Sequence, residues 1–331
     1  MMNALPIIDL AKLDRPQERA EFYAHLREVA RNIGFFYLVG HGVPNAQIQT
    51  VLQQGKAFFE QPLTQKQQIN MLYSPHFRGY TGPKEEYTQA KPDGREQIDI
   101  GAELPLWPNR PSDKPWLQLQ GPNLWPEGLP EFKPTILYYQ QTMRAVAIRL
   151  LRAFLVALGQ DEHALDDLIA DPPVHLLKLV RYPTASAEAD TQGVGAHKDT
   201  DILTLLWQDK VGGLQVETDT GWVDVPYVPD SFVINIGEIL ELATNGYLRA
   251  NVHRVVAPHS GEDRYSICYF LAPNLDSKVH LLSLPASYAA LALGPEADPA
   301  NPMFENLGAN SFKSRLRAHP QVAKRHYSSQ S

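Results

Sequence analysis

His197 and Asp199 stand one residue apart in His197-Lys198-Asp199. On extended backbone, residues i and i+2 point to the same side. The imidazole and the carboxylate can therefore converge on one ion, although a lone His-x-Asp is more often just a polar strand edge. A second imidazole, His253, follows with 53 residues between it and Asp199, inside the strand-like run Val252–Ala257. Alone it reads as a packed core histidine. Together, two imidazoles and one carboxylate on one face of a divalent ion leave three positions open. That suits Fe(II) that must bind both a cosubstrate and O2. Eleven residues after His253 comes Arg264-Tyr265-Ser266, in which Arg264 and Ser266 again share a face. A guanidinium fork beside a hydroxyl is a receptor for a carboxylate, because the planar fork pairs with both oxygens. A structural ion pair is the competing reading. Tyr182, in Arg181-Tyr182-Pro183, can offer a phenol to the same carboxylate or simply fill the core.

The elements that must position these groups change character along the chain. The first half reads as mostly helical. Ala20 to Asn32 has helical spacing, Gly34 to Val39 is a buried strand, and Asn45 to Phe59 is a helix with Asn45 as N-cap. Residues 76–130 are dense in Pro, Gly and charge, and read as ordered loops beside a site. Glu131 to Leu158 is the clearest helix, with Pro134 in its first turn and Gly159 just past its end. Met143, Val146, Ala147, Leu150, Leu151, Phe154, Leu155 and Leu158 form its core-facing stripe. Asp161 to Ala170 reads as a short helix stopped before Pro172 and Pro173. Short strand-like runs then follow: 175–182, 201–208, 213–218, 222–225, 231–236, 252–257 and 264–271. Many short, evenly spaced strands indicate a sandwich or barrel, with the helices packed on its outside.

The 331 residues are 44% apolar, enough for a large core. The formal charge of -7, from 37 acidic and 30 basic residues, gives no electrostatic reason to seek nucleic acid or an anionic membrane. The single cysteine, Cys268, rules out a disulfide framework within the chain and fits a reduced, cytoplasmic setting as an inert buried thiol. The first residues hold no apolar stretch of signal-peptide length, and no segment approaches the roughly 20 apolar residues that span a bilayer. The basic stretch 312–331 reads as a solvated closing helix.

His197-x-Asp199, distant His253 and Arg264-x-Ser266 resemble the isopenicillin N synthase-like family of 2-oxoglutarate/Fe(II)-dependent dioxygenases. Further stretches share the resemblance: Gly34-Phe35-Phe36-Tyr37-Leu38-Val39-Gly40-His41-Gly42-Val43, the run 203–209, Gly212 to Val216, Asn235-Ile236-Gly237-Glu238, Asn245-Gly246 before His253-Arg254-Val255, and the tail Arg315 to Tyr327. The similarity runs from about Pro6 to Tyr327. It implies an α+β, mainly β fold: a double-stranded β-helix (jelly-roll) core flanked by helices. It implies one oxygenase domain over 1–331, with a mostly helical part at 1–174, the jelly-roll core with the iron site at 175–275, and a C-terminal segment at 276–331. His197, Asp199 and His253 are then the Fe(II) ligands. 2-Oxoglutarate chelates the iron through its keto acid end, and its far carboxylate meets Arg264, Ser266 and Tyr182. O2 is the other cosubstrate. The implied reaction is hydroxylation, desaturation or ring closure of a small organic substrate, with release of CO2 and succinate.

One position departs from the family pattern. Plant-type members usually carry Asn two residues before the tyrosine that aligns with Tyr182, and here that residue is Val180. This leaves open an Fe(II) oxidase of the isopenicillin N synthase or aminocyclopropane carboxylate oxidase kind, which uses no 2-oxoglutarate. A non-catalytic jelly-roll binding protein is the third reading. Candidate substrate contacts are Arg78 and Tyr80 in a wall-forming loop, Arg181 for an anionic substrate, and Phe270. The expected partner is a small molecule, with no nucleic acid and no membrane, and the sequence carries no signature of an oligomeric state.

Overall fold

The structure, a computed structural model, describes residues 5–184, 192–259, 261–295 and 302–327. Eight strands after residue 174 run as β7 His175–Tyr182, β8 Gln192–His197, β9 Leu203–Gln208, β10 Leu214–Thr218, β11 Gly221–Asp224, β12 Phe232–Ile236, β13 His253–Val256 and β14 Arg264–Leu271. Six precede them: β1 Ile7–Asp9, β2 Phe35–Val39, β3 Gly79–Thr81, β4 Tyr87–Thr88, β5 Lys91–Pro92 and β6 Glu96–Gly101. The major sheet has the order β1-β2-β12-β9-β14-β7-β6-β3 and the minor sheet β11-β10-β13-β8, while β4 and β5 form a hairpin. From β7 to β14 the chain passes back and forth between the two sheets, which is the jelly-roll winding.

Strand alternation divides the major sheet's side chains between two cores. Phe35, Tyr37, Val180, Tyr182, Val233 and Cys268 meet Val194, Leu214, Val216 and Val255 of the minor sheet. Residues of the opposite parity, such as Phe36, Leu38, Leu177, Leu179 and Ile267, pack against helices. Those helices are α1 Arg19–Asn32, α2 Asn45–Phe59 and above all α4 Phe132–Ala157. The predicted stripe of α4 is buried from Met143 to Leu155, and Leu150, Leu151 and Phe154 are 0% exposed. Each such side chain contributes about 1.5–3 kcal/mol. Gly159, at φ +72°, takes the chain out of α4 in the left-handed region that favours glycine. The shorter helices are α3 Leu63–Lys66, α5 Glu238–Ala243, α6 Ala286–Ala289, α7 Leu307–Ala318 and α8 Pro320–Tyr327. No helix among the described residues is long and apolar enough to cross a membrane.

Several expectations need correction. Asn45 does not cap α2; its amide donates to Asp230 Oδ1 at 3.1 Å, and Pro44 occupies the cap position. The segment 161–170 is turns followed by a 3-10 turn at Asp166–Ile169. The span 76–130 is not all loop, because β6 pairs along its whole length with β7. Its acids disguised it: Glu96 and Asp99 are buried and bonded to Lys66, Arg181, Lys178 and Arg315. β8 was also unassigned, since Gln192-Gly193-Val194-Gly195-Ala196 has little β-branched content.

Gly237 joins β12 to α5, and a Cβ there would lie 1.8 Å from the Asp201 carbonyl oxygen. The close approach lets the Gly237 N–H bond Ile202 O at 3.1 Å, and the Glu238 N–H bond Asp199 O at 2.8 Å. Gly237→Ala is expected to lower unfolding free energy by about 1–3 kcal/mol through overpacking, read from urea denaturation. An unchanged midpoint would mean that this turn yields freely.

Candidate active site

β8 and β13 are antiparallel, and His197 lies directly opposite His253. Their ring centroids are 4.4 Å apart. Asp199 lies two residues past the end of β8, outside the strand. Its Oδ2 is held from the other sheet, by Thr204 Oγ1 at 2.5 Å and Asn235 Nδ2 at 2.8 Å. Thr204 and Asn235 are register partners across β9 and β12, which explains how both reach one oxygen. Oδ1 is left facing the imidazoles, 3.5 Å from His197 Nε2 and 3.8 Å from His253 Nε2. One ligand atom from each of the three residues lies within 4.8 Å of the other two.

The imidazole tautomers follow from their other nitrogens. His197 Nδ1 meets Gly195 O at 2.8 Å, and His253 Nδ1 meets Asn251 O at 3.2 Å. A carbonyl only accepts, so each Nδ1 carries the proton and each Nε2 presents its lone pair to the shared point. Burial, and then neighbouring His197, pushes His253 down to about 4. Burial also opposes charge on His197, but the hydrogen bond and charge of Asp199 outweigh it and raise that pKa. Burial alone would raise Asp199; the two imidazoles and Thr204 hold it far below the usual carboxylate range. Two neutral nitrogen donors and one anionic oxygen, with the outward-facing atoms already bonded, fit a divalent iron.

The three groups line a cavity of about 880 Å³ between the sheets. Tyr182, Leu206, Val233, Cys268 and Phe270 line it too. Arg264 and Ser266 do not line that cavity; they lie beside two of its wall residues. The Arg264 guanidinium is 4.7 Å from the Tyr182 ring centre, and Ser266 Oγ is 3.9 Å from Cys268 Sγ. Arg264 is 0% exposed, yet only Nη2 has a partner among the described residues, Gln208 Oε1 at 3.0 Å. Nε and Nη1 have none, and Arg264 forms no ion pair among the described residues, although its charge acts on Asp209. Burial raises the Tyr182 pKa, which keeps the phenol protonated and able to donate. Val180 is buried in the core between the sheets.

Of the candidate substrate contacts, Arg78 and Phe270 line the cavity. Tyr80 does not: its phenol donates to Glu96 Oε2 at 2.7 Å in the helix-side core. Arg181 does not either. It shares the parity of Leu177 and Leu179, so it leaves the opposite face of β7 and pairs with Asp263 and Glu96 at 2.7 and 2.9 Å. The reading of 312–331 as a solvated helix fails at Arg315, which lines the cavity and pairs with buried Asp99 at 2.7 Å. Lys178, Glu86 and Arg95 of the wall also went unread. The one available signal for Lys178 was its even parity with Leu176 and Tyr182.

Residues 173–273 match the 2OG-Fe(II) oxygenase superfamily. Residues 5–128 match the family described as non-haem dioxygenase in morphine synthesis N-terminal. The chain is 31% identical to the 2-oxoglutarate-dependent dioxygenase frbJ of Dothideomycetidae sp., over 98% of this chain and 92% of that protein. It is 34% identical to a homoarginine-6-hydroxylase of Glycine max, over 85% and 88%. Among solved structures, a 2OG-Fe(II) oxygenase family protein from Caulobacter crescentus aligns with TM-score 0.77 at 26% identity, over 95% of this chain and 99% of that one. A Neurospora crassa protein in complex with alpha-KG and thymine aligns with TM-score 0.74 at 26% identity, over 98% and 97%. With the His-Asp-His cluster fitting Fe(II), these likenesses make the chain a member of the 2-oxoglutarate- and Fe(II)-dependent oxygenase superfamily, a non-haem iron dioxygenase.

Proposed function

We propose that His197, Asp199 and His253 hold the iron, that Arg264, Ser266 and Tyr182 receive the far carboxylate of 2-oxoglutarate, and that the cavity beside them takes a small organic substrate for oxidation. The observation that carries this reading is the convergence of two Nε2 lone pairs and Asp199 Oδ1, each fixed by a bond on its far side. A homoarginine hydroxylase among the relatives and a thymine complex among the structural neighbours support a small-molecule substrate. Hydroxylation, desaturation and ring closure all fit this site. The single, buried Cys268 supports work in a reducing compartment such as the cytoplasm.

Bound there, Fe(II) supplies activation of O2 coupled to decarboxylation of 2-oxoglutarate to CO2 and succinate. The chain's own contribution is positional and electrostatic. Thr204 and Asn235 hold Asp199 Oδ2, which leaves Oδ1 as the oxygen that would offset the charge of a bound ion. Arg264 offers Nε and Nη1, which have no partner among the described residues, and Tyr182 adds a neutral donor. Leu206, Val233 and Phe270 keep the region between these groups apolar, which strengthens each polar contact.

Anaerobic Fe(II) followed by 2-oxoglutarate is expected to give a visible metal-to-ligand charge-transfer band in the wild type, and none in Asp199→Ala or His253→Ala. Iron binding without the band would point to an oxidase that uses no 2-oxoglutarate. Arg264→Met is expected to raise the KM for 2-oxoglutarate at least about 30-fold, the effect of about 2 kcal/mol or more from an abandoned buried charge partner, while Fe(II) binding persists. A KM unchanged in that variant removes Arg264 from the cosubstrate site. The pH dependence follows from His197. Its raised pKa means that metal must displace a proton, so Fe(II) affinity falls as pH drops through that pKa, by about tenfold per unit. Equilibrium dialysis from pH 8 to 5.5 measures this, and a flat profile contradicts it.

A further inference from the structure

Arg78 is a buried cation that forms no ion pair among the described residues. It lies at the entry to β3, its side chain is buried, and its guanidinium lines the cavity. It fits because Gly101, at the end of β6, has no Cβ; one there would sit 2.3 Å from the guanidinium nitrogens. The bonds it makes are to backbone carbonyls, Leu119 O at 2.9 Å and Phe77 O at 3.4 Å. Its Nε has no partner among the described residues, and no acidic residue there forms an ion pair with it.

The surrounding charges are already matched. Arg95, Lys178 and Arg315 pair with Glu86, Asp93 and Asp99, three cations against three carboxylates. Asp99, the carboxylate acting most on Arg78, also accepts from Gln97 Nε2. Burial pushes His319 down to about 4, so it adds no charge. Asp201 and Glu238, the other wall carboxyls outside the iron cluster, form no ion pair with Arg78 among the described residues. Arg78 is therefore a buried cation that forms no ion pair among the described residues, an unfavourable state that an arriving anion would relieve.

A second polar group waits beside it. His175 begins β7, is 7% exposed and lines the same cavity, and neither ring nitrogen has a partner among the described residues. Burial, then the charges of Arg78 and Arg144, lowers it to about 4, which leaves a neutral ring with one N–H to donate.

Resting on the function proposed above, we infer that the substrate bears a single carboxylate, bound by Arg78 with His175, and an apolar body that reaches from there to the iron. The register sets the span. Thr204, bonded to Asp199, pairs with Phe270, Phe270 with Leu176, and Leu176 with Gly101 beneath Arg78. Three strand spacings make about 14 Å. The oxidised carbon is thus several bonds from the carboxylate, and Phe270, Leu176, Ala272 and Leu275 supply the apolar wall between.

Two measurements test this. The first needs no ligand: Arg78→Met removes a buried charge that forms no ion pair among the described residues, at nearly constant volume, so its Tm is expected to match or exceed that of the wild type. A lower Tm, or failure to fold, means the arginine is structural and overturns the inference. The second uses decanoate and 4-phenylbutanoate, each beside its primary amide, and reads Tm shift and stimulated succinate release in the Fe(II)- and 2-oxoglutarate-loaded enzyme. Wild type is expected to prefer an acid over its amide at least tenfold. Arg78→Met loses that preference and Arg78→Lys keeps part of it. Equal response to acids and amides, or a preference surviving in Arg78→Met, overturns the inference. Absence of any succinate from the wild type strikes the oxygenase reading itself, whereas succinate without acid–amide discrimination strikes only the carboxylate.

Discussion

The site depends on one arrangement: an aspartate just past the end of β8 is clamped by the major sheet while its two histidine neighbours come from facing positions in the minor sheet. Thr204 and Asn235 fix Asp199 from β9 and β12, and the antiparallel register of β8 and β13 fixes the rings. Neither sheet alone holds all three groups. The spacing between the layers, set by apolar side chains such as Val194, Val233 and Val255, therefore becomes a property of the iron site. A divalent ion bound here links the layers, so metal affinity and the packing between sheets are coupled quantities.

The same alternation that builds the two cores sorts the charges. From Leu176 onward, even-numbered residues of β7 face the space between the sheets and odd-numbered ones face the helices, so Lys178 belongs to the wall and Arg181 to a salt-bridge cluster with Glu96 and Asp263. Buried ions of this kind are weak sources of stability and strong sources of specificity when every partner is satisfied. Here nearly all are. Arg264 and Arg78 are the exceptions, each keeping a donor deep in the protein with no partner among the described residues.

Much of the iron cluster was legible because its residue types are rare in combination and flank recognisable strands. Spacing and resemblance single out His197, Asp199 and His253, which the fold brings together, and the bounds of β7 and β14 match residue for residue. What escaped was whatever depends on a distant partner. β6 looks like loop because Glu96 and Asp99 look like surface acids until Lys66, Lys178 and Arg315 are seen beside them. Tyr80 and Arg78 are two residues apart and were read together, yet Tyr80 bonds Glu96 in the helix-side core while Arg78 borders the cavity. Strand parity could suggest Asp199, but not that Thr204 and Asn235 of the opposite sheet hold its Oδ2.

The bond between Arg315 and Asp99 spans 216 residues of sequence. Helix α7 thus brings a cation to a carboxylate that β6 committed to the interior long before. On a ribosome, every strand of both sheets emerges ahead of that arginine. Until α7 docks, the nascent chain holds Asp99 with Lys178 and Gln97 alone, and its cavity lacks one wall. The cavity wall is therefore completed late in synthesis, with α7 rather than with the strands that carry His197 and His253.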